Sequence, residues 1–492
     1  MQPRVLGHES DSRRESQGEV LARRIAKESA GEISRMEVKA PELLRATFPS
    51  SALRCCGRAL WPRLERDLFH ASFQTEKINC FWSHSWHAAS WKKILLLMIV
   101  YKGQAAIVFG NLAALLGMLL FYLELLPSYP RAFTVEGSVY AFGPWGLVFG
   151  SCTVPLVLFG WQPGTGVFID RICIDQSNLE RKSAGLLSIG GILRKSESML
   201  VLLDSSYPTR LWTVFELAAF LKSHGGLEDT SGLVIRPINL GPAAVFLFMI
   251  QLLIMTMVVV QVSETQVLQA MLLRTGYAVL IIVPLVHRAR GHFRWVEKCR
   301  LKLQNFTLED AHAHCCAVQH LDDFGRNMVC DKLIMLECLR SWFRTEEEFE
   351  SAVRIQVAAA FTRALGASAF PFRWFVAISS CTCWAFGDLV MARLRVGEYY
   401  YSAIALIMAM TYPVLLMPFI FHMVQIMGYH FRAPGSFNYV LSLLLGLGLT
   451  VLGLLCASLR LVLARLFDNE IIGSLAWSAI LAAVRCSMRS KG

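Results

Sequence analysis

Two acidic positions in this chain fall where an α/β sheet presents either its ligands or its turn caps. Asp170 closes the apolar run Gly166-Val-Phe-Ile. The carboxyl end of a parallel strand is where open sheets bind ligands, and Asp is equally suited to capping a helix or turn. Asp175-Gln176-Ser177-Asn178 follows, read either as a capping loop or as a loop that meets a partner. Further on, Glu216 follows Trp212 by four residues, so on a helix both project to one side. A carboxylate and an aromatic placed together line a pocket, or the acid pairs with Arg210 or Lys222 and the ring packs as core. Tyr207, just upstream, reads with Trp212 as core or as a contact.

Other polar clusters carry less chemistry. Ser83, His84 and His87 raise nucleophilic catalysis, but a Ser–His pair adjacent in sequence does not place the hydroxyl on the imidazole, and no oxyanion-hole signature accompanies it. These residues are read as hydrogen-bonding the loop after a strand. The segment His312-Ala-His314-Cys315-Cys316, with His320 and Cys330 beyond it, holds good zinc ligands. On a helix His312 and Cys316 share a face, as do Cys316 and His320. The spacing fits no common zinc finger, so a structural polar helix is expected and no metal is assigned. Asp388 and Arg274 lie within apolar runs, where a charge is costly unless paired or near an interface.

The elements that must position these residues alternate. Ile78–Trp82, Gly166–Asp170, Ser198–Leu203 and Leu233–Ile235 are short apolar runs that read as strands. Leu186–Leu193 and Arg210–Lys222 read as helices, the second amphipathic through Leu211, Val214, Phe215, Ala218 and Ala219. Strands separated by helices predict a parallel sheet with helices on its faces.

Three segments resemble, in order, the boxes of Toll/interleukin-1-receptor (TIR)-like domains. A strand ending in Ser83-His-Ser-Trp86 resembles the first box, and Val167-Phe-Ile-Asp170-Arg-Ile-Cys-Ile-Asp175-Gln176 the second. In heterokaryon-incompatibility relatives the second box reads Asp-x-x-Cys-Ile-x-Gln, matched by Asp170, Cys173, Ile174 and Gln176. Tyr207-Pro-Thr-Arg-Leu-Trp212-Thr-Val-Phe-Glu216-Leu is similar to the third, with Thr213 where the family has Cys. A membrane hairpin between the first and second boxes also resembles a set of multi-span proteins of dinoflagellate algae, which brings no activity with it. The resemblance implies a cytosolic TIR-like fold. It also implies that Glu216, at the position of the acid that stabilises the oxocarbenium-like transition state in NAD-cleaving relatives, is the candidate catalytic residue. Asp170, Asp175, Gln176, Tyr207 and Trp212 are then the ligand or partner contacts.

Composition sets the context. The chain is 54% hydrophobic and 17% charged, against about 45–50% apolar and about 25% charged in soluble domains. The excess is concentrated in runs long enough to cross a bilayer: 105–126, 140–161, 243–262, 267–286, 375–391, 402–427 and 439–462, with a shorter piece at 471–484. Pro413 and Pro418 should kink the sixth, and 263–266 reads as a tight turn. Lys and Arg gather in 162–240 and 288–302, which places those regions on the cytosolic side; Arg393 and Arg395 break that rule. The net charge of +11 follows from the same bias, and no nucleic-acid signature accompanies it. The 14 scattered cysteines argue for reduced thiols.

The predicted fold is a polytopic α-helical membrane protein of seven or eight spans with a cytosolic TIR-like α/β parallel-sheet domain and a small helical subdomain. It comprises a mobile tail (1–70), first strand and linker (71–104), a hairpin (105–161), the rest of the α/β domain (162–240), a second hairpin (241–287), a helical region (288–372) and a C-terminal bundle (373–492). The expected role is membrane-tethered signalling or scaffolding by contact with other TIR-like domains or cytosolic proteins. The alternatives are an NAD-cleaving hydrolase using Glu216 and a channel or transporter. No cofactor is assigned; NAD enters only as a substrate.

Overall fold

A computed structural model describes residues 23–62, 67–128, 132–135, 138–225, 232–261, 267–320, 330–365 and 370–489. The chain divides into two compact units. The first gathers Met1–Ile94, Gln162–Ile238 and Glu297–Leu365; the second gathers Leu95–Trp161, Asn239–Val296 and Gly366–Gly492.

The first unit is built on a parallel sheet of four strands, β1 (Cys80–His84), β2 (Val167–Phe168), β3 (Met199–Leu203) and β4 (Leu233–Pro237). Their spatial order is β2-β1-β3-β4. Phe81 of β1 pairs with Phe168 on one side and Met199 on the other, so the first strand joins the downstream ones despite the long insertion. All residues of β1 and β3 are buried. A sheet covered on both faces favours apolar side chains, which is why β3 reads as a continuous apolar run.

Helix α1 (Leu211–Ser223) connects β3 to β4. Sequence predicts it to be amphipathic, yet Leu211 and every residue from Thr213 to Leu221 are buried. The reason is a second cover: Trp342 of α2 (Asp331–Phe343) stacks on Phe215 with ring centroids 5.2 Å apart. The tail expected to be mobile also differs in its described part. Residues 23–34 form a helix whose Ala26, Ala30 and Ile33 are buried, at the i, i+4, i+7 spacing of one helical face. Trp342 Nε1 donates to Ser34 O at 3.3 Å, and Arg45–Ala46 pairs with Phe73–Gln74. Small apolar residues among many charges hide this face from a reading by composition.

The second unit is helical. Among the described residues five helices are long and apolar enough to cross a membrane: Ser90–Tyr122, Leu240–Val259, Tyr399–His430, Asn438–Leu466 and Glu470–Ser487. Phe372–Ile378 and Ser380–Arg395, bent by 43°, would make a sixth. Trp145–Gly160 is apolar but shorter, and the expected fourth run is the first half of a continuous helix, Val267–Gln304. The piece read as short, 471–484, belongs to a helix of 20 residues, Glu470–Arg489. Pro413 sits in a π-helical turn, Tyr412–Leu416, within the Tyr399–His430 helix, consistent with the expected distortion. The turn at 263–266 and the Arg274 side chain lie outside the described residues.

Candidate functional site: the crevice at the carboxyl end of β1 and β3

The strand order makes β1 the point at which the chain switches sides, running first to β2 and then across to β3. In doubly wound sheets that switch creates a crevice at the carboxyl ends of the two central strands. At this end of the sheet stand His84 at the end of β1 with Ser85 and Trp86 after it, Asp204 and Ser206 after β3, and Asp170 after β2.

The crevice is polar and partly unsatisfied. Ser206 Oγ donates to Asp204 Oδ2 at 2.6 Å and lies 2.8 Å from Ser85 Oγ. The fully buried Lys93 donates to Ser85 O at 3.1 Å. Lys93 Nζ lies 5.3 Å, and the Arg171 guanidinium 4.4 Å, from the centre of the Trp86 ring. Two buried atoms have no hydrogen-bond partner, His84 Nε2 and Asp204 Oδ1. Burial holds the His84 imidazole well below its ordinary range, with Lys93 reinforcing the effect, so the ring is neutral. An unpaired acceptor or donor sealed from water costs about 1–3 kcal/mol.

Glu216 is sealed from solvent. Only 6% of the residue is exposed. Its Oε2 accepts from Ser83 Oγ at 2.6 Å, and Ser83 Oγ lies 2.8 Å from the Tyr207 hydroxyl, itself 3.3 Å from Thr213 O. Trp212 and Glu216, four residues apart on α1, share one side of the helix. Burial pushes the Glu216 carboxyl up to about 8, against the Ser83 hydrogen bond that opposes it. The expected ion pairs with Arg210 and Lys222 are not formed. Arg210 Nη2 meets His87 Nε2 at 2.5 Å, and Lys222 Nζ donates to Trp342 O at 3.3 Å. Thr213, in the place of the family's Cys, donates to Tyr207 O at 2.7 Å and so fastens the loop that holds Tyr207.

The remaining candidates divide between cap and surface. Asp170 Oδ1 accepts from Arg171 N at 2.7 Å and its Oδ2 from Trp86 Nε1 at 3.3 Å; burial raises its carboxyl above the ordinary range. Asp175 Oδ1 accepts from Ser177 Oγ, Ser177 N and Asn178 N, and these bonds, led by the Ser177 hydroxyl, lower its carboxyl. Gln176 is exposed on the loop that Asp175 holds. Tyr207 is buried in the Glu216 network. Cys173 is buried too, its thiol pushed up to about 12 by desolvation, which suits packing and not nucleophilic chemistry. Sequence reasoning missed Asp204, Ser206 and Lys93. Asp204 had a signal: it ends the apolar run 199–203 as Asp170 ends 166–169.

Asp388, the acid within an apolar run, is also a cap. Its oxygens accept from Gly146 N at 2.6 Å and Leu147 N at 2.9 Å, at the start of the Trp145–Gly160 helix. Arg290 donates to Phe431 O, just past the end of the Met417–His430 helix, at 2.6 Å. An acid at a helix start and a base at a helix end complement the helix dipole.

Comparison with family models, with curated proteins and with solved structures finds no match. The class that fold and site define is an open parallel α/β unit with a polar crevice at its switch point, in a chain that also carries long apolar helices.

Proposed function

We propose that the chain is a membrane-tethered, TIR-like signalling or scaffold protein that acts by protein–protein contact. The observation that carries this reading is the burial of Glu216, held by Ser83, which also meets Tyr207. A carboxyl that must reach a ribose has to face a substrate cleft; this one is spent on joining β1 to α1. The surface offered to a partner is the loop after Asp175. It is rigid because the Asp175 and Asn178 side chains cap it, and it presents Gln176 and the 69% exposed Leu179. The capping role of Asp388 weakens the transport alternative, since a group saturated by two backbone amides is ill placed to pass an ion.

The test is nicotinamide release from NAD by the full chain in detergent, wild type against Glu216→Gln. No turnover by either protein is the expected result. Robust release that disappears in the Gln variant, with folding retained, overturns the reading in favour of an NAD-cleaving hydrolase.

A further inference from the structure

Four metal-ligating side chains converge away from the crevice. The ligand atoms of Cys315, Cys316, His320 and Cys330 all lie within 4.8 Å of one another. Cys315 Sγ is 3.9 Å from Cys316 Sγ, which is 3.8 Å from Cys330 Sγ. A disulfide would require about 2.05 Å. Two thiolates on one tetrahedral zinc, each with a bond of about 2.3 Å, stand about 3.8 Å apart, which is the spacing found.

The backbone is bent to make this arrangement. The helix expected through this segment stops after one turn, His314–Ala317. Gln319 and His320 then take positive φ values of 54° and 59°, a conformation unfavourable for residues other than glycine. The turn closes with His320 N donating to Cys315 O at 2.7 Å, bringing the imidazole back to the two thiols. His320 Nε2 is buried and has no hydrogen-bond partner. Cys330 is the N-cap residue of α2, so the helix start fixes the backbone that carries its sulfur.

We propose that Cys315, Cys316, His320 and Cys330 bind a structural zinc ion as a closed Cys3His site. Three thiolates and an imidazole without a carboxylate select zinc over magnesium or calcium, and four protein ligands leave no position for a substrate. The site fastens α2 to the strand-like segment before it. His312 N donates to Thr209 O at 2.9 Å and its carbonyl accepts from Leu211 N at 3.2 Å. Zinc therefore braces the loop that leads into α1 and the Glu216 network. The sequence concealed the set because Cys315 and Cys316 are adjacent and no Cys-x-x-Cys pair announces it.

The test is metal analysis of the full chain, purified in detergent with a tag that binds no metal. About one zinc per chain should survive dialysis against a weak chelator, with X-ray absorption reporting three sulfurs at about 2.3 Å and one nitrogen at about 2.0–2.1 Å. Cys316→Ser and Cys330→Ser should each lose at least about tenfold in zinc affinity, while Cys299→Ser, a buried cysteine elsewhere in the unit, keeps its zinc. The absorption measurement needs only the wild type, so misfolding of a variant leaves the question answerable. Wild-type protein without zinc, zinc retained equally by both ligand variants, or a Cys316–Cys330 disulfide in the purified protein each overturns the proposal.

Discussion

Glu216 joins α1 to β1, two segments distant in sequence, and its protonation makes that junction sensitive to pH. The folded carboxyl titrates at about 8, against an ordinary value of 4.5. The folded chain therefore holds this proton more tightly than the unfolded chain. The associated stability is complete below about 4.5 and is lost as pH rises through about 8. The thermal midpoint of the detergent-solubilised protein should fall across that window, and Glu216→Gln should flatten the fall, because Gln fills the site without titrating. Equal slopes in the two proteins would show that Glu216 is not the group responsible. Glu216→Ala leaves Ser83 without its 2.6 Å acceptor and should cost about 1–3 kcal/mol, read as a lower midpoint at every pH. Asp388→Ala removes the cap of the Trp145–Gly160 helix and should cost about 0.5–2 kcal/mol in the same measurement. Sequence discloses some of this chemistry. The capping role of Asp175 is legible because its partners, Ser177 and Asn178, are its neighbours. The bond from Ser83 to Glu216 is not, because 133 positions separate them and no local spacing records the contact.

Elements were legible in proportion to how local their cause is. The strands announce themselves, since burial on both faces favours apolar runs. The continuity of Val267–Gln304 is hidden, because the sequence turns from apolar to basic at Arg288 while the backbone stays helical. The packing of the N-terminal segment is hidden as well, and it rests on a close approach. Gly191, in the helix Ile189–Arg194, lies against the backbone at Glu37; a Cβ there would meet Glu37 C at 2.3 Å and Val38 N at 2.5 Å. Backbone cannot rotate aside as a side chain does, so Gly191→Ala should displace the 23–44 segment at a cost of about 1–3 kcal/mol. Limited proteolysis should then cut this segment faster in the variant than in the wild type. Protection equal to wild type would mean that the segment is not held by this contact.

At the scale of the whole molecule, the distribution of charge predicts which ends of the chain share a side of the membrane. The first unit contains both Ser177 and Asn305, in regions whose Lys and Arg content favours the cytosolic face. Arg393 and Arg395 seemed to contradict the rule, yet both have local partners. Arg395 Nη2 pairs with Glu124 at 3.1 Å and its guanidinium lies 4.6 Å from the Phe121 ring. Arg393 donates to Tyr401 O at 2.9 Å. The Glu124 pair puts the 393–398 loop at the same end of the second unit as the loop after Tyr122. Cysteines introduced singly at Ser177, Asn305, Leu125 and Gly397, in a variant whose exposed native cysteines are replaced, separate the possibilities. In sealed vesicles an impermeant maleimide should label Ser177→Cys and Asn305→Cys from one side, and Leu125→Cys and Gly397→Cys from the other. Labels at positions 177 and 305 on opposite faces would refute a single domain on one side of a bilayer. Labels at all four positions on one face would show instead that the Ser90–Tyr122 helix does not cross the membrane.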